Sequence, residues 1–201
     1  EEEDRKEIAH LAEKIAVNYY DEIPKEQRVG KCQITVSTSF FVPKPFTPFQ
    51  FEPQITRDEI VRRQKYLRDC ITTQKMSLSW HGNETSFLEG VLARGDRRLG
   101  KVIETAFKKG CRFDSWDECF CLEKWYEAFE ECNIDPAFYA NRARKFDEIT
   151  PWEHLDYGIT KKFLICQNKL AHDAITTPNC REKCAGCGAN KFGEGVCFEK
   201  R

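Results

Sequence analysis

The stretch KCQITVST, residues 31–38, decides the class of the fold, because here the apolar period of the chain changes to two. Cys32, Ile34 and Val36 alternate with Gln33, Thr35 and Ser37, and the segment is β-branched, so it reads as a strand. Upstream of it, Ile8, Leu11, Ile15 and Tyr19 fall at steps of three or four, which predicts a helix from residue 1 to about 20 with that stripe buried. Downstream, FFVPKPFTPFQFEPQ (residues 40–54) carries prolines at 43, 45, 48 and 53. These deny donors to a sheet and disfavour helix in the preceding residue, so an extended loop is expected. Thr56 then opens a helix as its capping residue, with Glu59 completing a capping box and Ile60, Leu67 and Ile71 forming the buried stripe. KMSLSWH (75–81) is a second strand, Met76, Leu78 and Trp80 on one side and Ser77 and Ser79 on the other. Helix, strand, helix, strand is the repeating unit of a parallel α/β sheet.

After His81 the pattern is helical. A helix near 84–93 is followed by one capped by Asp96, in which Leu99, Val102, Ile103, Ala106 and Phe107 keep helical spacing up to Gly110. SWDE (115–118) has the form of a capping box, ahead of a helix with Cys121, Trp125, Ala128, Phe129 and Cys132 on one face. Shorter helices are expected near 135–142 and 160–174, and TTPNC (176–180) opens an irregular tail rich in cysteine.

The 201 residues suffice for one good core, or for one domain with a small appended module. With 32 basic and 33 acidic side chains there is no strongly basic field to hold nucleic acid, so nucleic-acid binding is unsupported. No apolar run approaches the roughly 20 residues of a membrane span, and EEEDRKE at the start is the opposite of a secretory signal. Eleven cysteines, odd in number and unevenly spaced, read as thiols in a reducing cytosol, some of them metal ligands, rather than a disulfide framework. A cytoplasmic location is therefore expected. The chain begins without methionine and its single Met is Met76, the pattern expected of a piece of a longer protein.

Chemistry concentrates in two places. In CREKCAGCG (180–188), Cys180, Cys184 and Cys187 are spaced as in the cluster loop of radical S-adenosylmethionine (SAM) enzymes, and Gly186 and Gly188 allow the loop to turn back on itself. Cys197 is the candidate fourth ligand, closing a four-thiolate site for an iron–sulfur cluster or for zinc. A catalytic cluster precedes the remaining strands of its barrel, and no such strands follow here, so an auxiliary or structural metal site is expected. The second place is the pair of strand ends, since a parallel barrel binds ligands at the C-terminal ends of its strands. Ser37, Ser39, Lys44, Trp80 and His81 are placed there to meet a ligand. ARGDRR (93–98) groups Arg94, Arg97 and Arg98, either to grip an anion or as a solvated helix end with Asp96 as cap. Cys32, Cys70, Cys111, Cys119, Cys121, Cys132 and Cys166 read as small buried hydrophobes.

VSTSFFVPKPFTPFQFEPQ, LSWHGNETSFLEGVLARGDRRLGKVIETAFKKGCRFDSWDE, PWEHLDYGITKKFL and CREKCAGCG together resemble the C-terminal half of an uncharacterised bacterial family of radical SAM proteins, members of which carry an N-terminal cobalamin-binding-like domain. The resemblance runs through about residues 1 to 198. It implies an α/β architecture: the last βα units of an open radical SAM (β/α) barrel at 1–83, a helical extension at 84–176 and a Cys-rich metal-binding tail at 177–201. It further implies that the parent cleaves SAM at a [4Fe–4S] cluster lying upstream of this chain, on an unknown substrate, with cobalamin as a possible further cofactor. The rest of the barrel and the upstream domain would be this chain's partners, and alone it would not be expected to catalyse. Where relatives place a further cysteine two residues after the position of Cys187, this chain has Ala189. The alternative reading is a non-catalytic partner-binding module clamped by structural zinc; an electron-transfer protein is a third.

Overall fold

In the computed structural model, residues 2–71, 76–80 and 82–192 are described, and they divide into two compact units. The first comprises the residues up to Phe41 together with Ile55–Ser86; the second comprises Val42–Gln54 and the residues from Phe87 onward.

The first unit holds helix α1 (Glu2–Glu22), strand β1 (Ile34–Thr38), helix α2 (Arg57–Cys70) and strand β2 (Met76–Trp80). The strands pair in parallel, Ile34 opposite Met76 through to Thr38 opposite Trp80. A parallel pair needs a crossover of a dozen or more residues, and α2 lies in it. Thr56 caps α2 as expected, its hydroxyl accepting the Glu59 backbone N–H at 3.4 Å, while the Glu59 carboxylate is taken by Arg62 and Arg63. Side chains alternate along both strands. Ile34, Val36, Leu78 and Trp80 are half-buried and Met76 is buried, whereas Thr35, Ser37, Ser77 and Ser79 face outward, Thr35 and Ser77 joined by their hydroxyls at 3.1 Å.

Helix α1 departs from the expected stripe. Its buried positions are Ala9, Ala12 and Ala16, while Ile8, Leu11 and Ile15 are exposed. Small residues let the α1 and α2 backbones approach closely, and the face one position away is left with its larger side chains in the open.

The second unit has a contiguous core. Helices α3 (Asn83–Ala93, entered from the first unit), α4 (Leu99–Lys108), α5 (Leu122–Glu131) and α6 (Pro136–Ala140) bring together Phe87, Val91, Val102, Trp125, Phe129 and Tyr139. Ile103 and Phe107 stay about half exposed, because the buried face of α4 is set by Leu99, Val102 and Ala106. SWDE does not start α5: the helix begins at Leu122, with Cys121 before it and no side-chain cap, and residues 114–119 form turns. Of the seven scattered cysteines only Cys111 is buried; Cys119 and Cys166 are exposed and Cys32, Cys70, Cys121 and Cys132 are intermediate. Their presence on apolar stretches did not imply inclusion in a core, since turns and helix rims carry them.

The proline-rich segment is the organiser of this unit. Gln50, 4 % exposed, accepts hydrogen bonds from the Trp152 indole (2.8 Å) and the Phe46 backbone N–H (3.0 Å). Gln54 bonds through its backbone N–H to the Ala140 carbonyl and lies against Gly90, where an added Cβ would sit 2.3 Å from the Gln54 amide oxygen. Helix α7 (Lys161–His172) docks on the Pro48–Phe51 turn, where Asn168 donates to the Pro48 carbonyl and to Glu52. Arg94 is not a solvated helix end. It is 1 % exposed and donates to the carbonyls of Ala140 (2.7 Å) and Arg142 (2.8 Å), while Arg144 donates back to the Arg94 carbonyl (2.6 Å). Burial, and then the neighbouring Arg144 charge, pull the Arg94 guanidinium down to about 10. Arg98 pairs with Asp96 at 2.6 Å.

Among the described residues no helix is long and apolar enough to cross a membrane.

Candidate functional site

The cysteine loop is folded onto the start of α7. The Cys187 carbonyl accepts the backbone N–H of Thr160, the residue that caps α7, at 3.0 Å. Gly188 crosses Gly158 so closely that a Cβ at 188 would come within 2.4 Å of the Gly158 carbonyl oxygen, and its φ of +91° also favours glycine. Lys191 pairs with Asp156, which closes the far side of the loop. Within this frame the Gly186 N–H donates to Cys184 Sγ and the Ala189 N–H donates to Cys187 Sγ, both at 3.4 Å. Each sulfur thus accepts a backbone N–H from two residues on.

Cys184 and Cys187 therefore make the same backbone contact one short turn apart. Cys180 and Cys184 are exposed and Cys187 is half-buried. Among the described residues no group of three Cys, His, Asp or Glu side chains is drawn together as a metal cage, so Cys180 does not complete one with the pair. Cys197 lies outside the described residues. The donors present fit a soft metal, which selects thiolate sulfur, and the hydrogen bonds to sulfur are of the kind that tune such centres.

The strand ends open on a cavity of about 320 Å³ within the first unit. Thr38, Ser39 and Phe40 line it from the end of β1 and Trp80 from the end of β2; Arg5 reaches it from α1 and Arg63 and Gln64 from α2. Of the expected strand-end set, Ser39 and Trp80 are brought together here. Ser37 points to the exposed hydroxyl face of the sheet, and Lys44 belongs to the second unit, where it pairs with Glu89. His81 lies outside the described residues. The arginines were not found from the sequence, because Arg5 precedes β1 by a whole helix and neither arginine belongs to a motif. A helix-facing position beside a strand end was the available signal.

The second unit has its own recess, about 240 Å³, in which Gln50, Trp152, Asp156, Ile159 and Lys161 are wall residues. Its wall shares the 156–161 turn that carries the cysteine loop. Compared with models of protein families, with curated proteins and with solved structures, the chain finds no match.

Proposed function

We propose that this chain is the C-terminal part of a radical SAM enzyme, supplying βα units of the barrel wall and an auxiliary metal site in its cysteine tail. The observation that carries the reading is the pair of matched N–H···S contacts at Cys184 and Cys187, on a loop pinned to α7 by Gly188 and Thr160. An unligated tail has no need of such a frame. The two-stranded sheet supports the barrel half of the proposal. Parallel strands are ordinarily covered on both faces, and here the Thr35, Ser37, Ser77 and Ser79 face is open, as is the apolar stripe Ile8, Leu11 and Ile15 of α1. Both surfaces would be covered by further βα units.

In that enzyme the cluster and SAM supply the radical chemistry. This chain's residues orient and shield: Ser39 and Trp80 wall the strand-end cavity, and the sulfurs of Cys184 and Cys187, with Cys180 and Cys197 as further candidates, hold the auxiliary iron–sulfur cluster or zinc. The test is anaerobic reconstitution with iron and sulfide, compared with a variant carrying Ala at positions 180, 184 and 187. Broad visible absorption that disappears in the variant supports the enzyme reading. Stoichiometric zinc without that absorption moves the weight to the second reading, a partner-binding module with a zinc clamp. One observation favours that alternative: Phe113 and Trp116, in one turn of the helical unit, are 75 % and 63 % exposed.

A further inference from the structure

The strand-end cavity carries a charge pattern that narrows its ligand, on the reading that this cavity is a ligand site. Among the described residues its wall includes two guanidinium groups, Arg5 and Arg63, and no carboxylate. The Nε of Arg5 is buried and has no hydrogen-bond partner among the described residues. Arg63 gives its Nε to Glu59 at 2.5 Å, but that carboxylate is shared with Arg62, which grips both of its oxygens. Arg62 also holds Glu2 at 2.9 Å. Glu2 and Asp4 act on Arg5 electrostatically from the same helix, yet neither lines the cavity.

The remainder of the wall suits a flat or apolar body with polar anchors. Trp80, Phe40 and Phe41 supply aromatic surface, and Thr38, Ser39 and Gln64 supply side-chain hydroxyls and an amide. Apolar walls with a few convergent polar groups are typical of small-molecule sites, and this volume is at the small end of their range. Arginine is the side chain best matched to carboxylate and phosphate oxygens.

We propose that the cavity between the β1 and β2 ends and helices α1 and α2 binds a small organic anion, a planar or apolar body carrying a carboxylate or a phosphate that Arg5 and Arg63 hold between them. This rests on the enzyme reading and deepens it by assigning a substrate class, a small organic anion.

The test uses the full chain and heteronuclear NMR of the arginine Nε–H and indole N–H signals. Four probes are titrated: naphthyl phosphate, naphthoate, naphthylmethylammonium and SAM. At least one naphthyl anion is expected to shift Arg5, Arg63 and Trp80 together, while the ammonium shifts none of them. Phosphate and carboxylate as the natural head group are separated by which anion binds more tightly. Arg5→Gln and Arg63→Gln are each expected to weaken the anion about tenfold, the size of one charge-assisted contact, with Arg63→Lys retaining most of the affinity. Unchanged helical circular dichroism shows that the variants fold. Equal binding of ammonium and anions, or anion binding unaltered in both Gln variants, overturns the proposal. If SAM moves Trp80 and the anions do not, the cavity stands as a ligand site and its anionic assignment falls. If no probe moves Trp80 or the arginines, the ligand-site reading falls with it.

Discussion

The two units of this chain solve the same packing problem with unequal means. The second surrounds Trp125, Phe129, Tyr139, Val91 and Val102 with helices on several sides and ties its long proline-rich segment down through Gln50, Gln54 and the Phe51 carbonyl, which accepts the Arg144 backbone N–H. The first has two five-residue strands, and its helix α1 buries three alanines while leaving Ile8, Leu11 and Ile15 outside. An alanine brings little apolar area out of water, and burial stabilises by only about 25 cal/mol per Å². The first unit does bury Ile60, Leu67 and Met76, yet it leaves the larger apolar side chains of α1 exposed, whereas the second encloses its core on several sides.

The sharpest way to break this contrast is a matched pair of substitutions. Trp125→Ala should lower unfolding stability by about 3–5 kcal/mol, the cost of emptying a large aromatic site in a packed core, measured by denaturant unfolding of the full chain. Arg94→Met should cost about 1–3 kcal/mol, because the Arg142 carbonyl would lose its Arg94 donor and the Ala140 carbonyl would keep only the Gln54 backbone N–H. An Arg94→Met protein as stable as the parent would mean that those carbonyls find other partners, and the buried arginine would cease to be a structural tie.

Gly188→Ala addresses the proposed metal loop. A Cβ there meets the Gly158 carbonyl, so the loop must lift from α7. Metal affinity after reconstitution should fall about 10- to 100-fold, as for other losses of support around a metal ligand, with the helical spectrum retained. Undiminished metal content would show that the docking on Gly158 and Thr160 is incidental to the site.

A smaller effect is expected from acid. Asp96 accepts hydrogen bonds from Arg98, first from its side chain and then its backbone, and from Tyr139, and its carboxyl is held down to about 2. A carboxyl lowered on folding contributes stability that is complete above its ordinary range and is lost as pH falls toward that lowered value. Asp96→Asn should therefore cost about 1–2 kcal/mol at neutral pH and flatten the decline of stability with pH on the acid side. An identical acid limb in the variant would remove Asp96 as its source.

Smallest of all, Ile15→Ser on α1 should change stability by less than about 0.5 kcal/mol, as at other exposed positions. A large loss would mean that this stripe is covered in solution, and the description of the first unit as uncovered would fail. Comparing the same variant before and after addition of a partner that completes the sheet would sharpen the contrast further.

Much of the chain's architecture was legible beforehand because its signals are local. Alternation in KCQITVST and KMSLSWH marked both strands, four prolines marked the long loop, and Thr56 marked the start of α2. Local signals failed where a second element decided the outcome. The Ile8–Leu11–Ile15 stripe has the spacing of a buried face, but α2 met the alanine face instead. SWDE has capping chemistry, but residues 114–119 were drawn into turns and α5 began later.

The sequence by itself determined the order and type of the elements and the spacing that gives Cys184 and Cys187 their matched backbone donors, since these depend on dihedral preferences within a few residues. Only the tertiary structure decided that Arg94 is an internal tie, that the cysteine loop rests on Gly158 and Thr160, and that Arg5 and Arg63 share a cavity with Ser39 and Trp80. Those outcomes turn on which residues distant in the chain meet, and that is governed by packing and the need to satisfy buried polar groups, which no local pattern encodes.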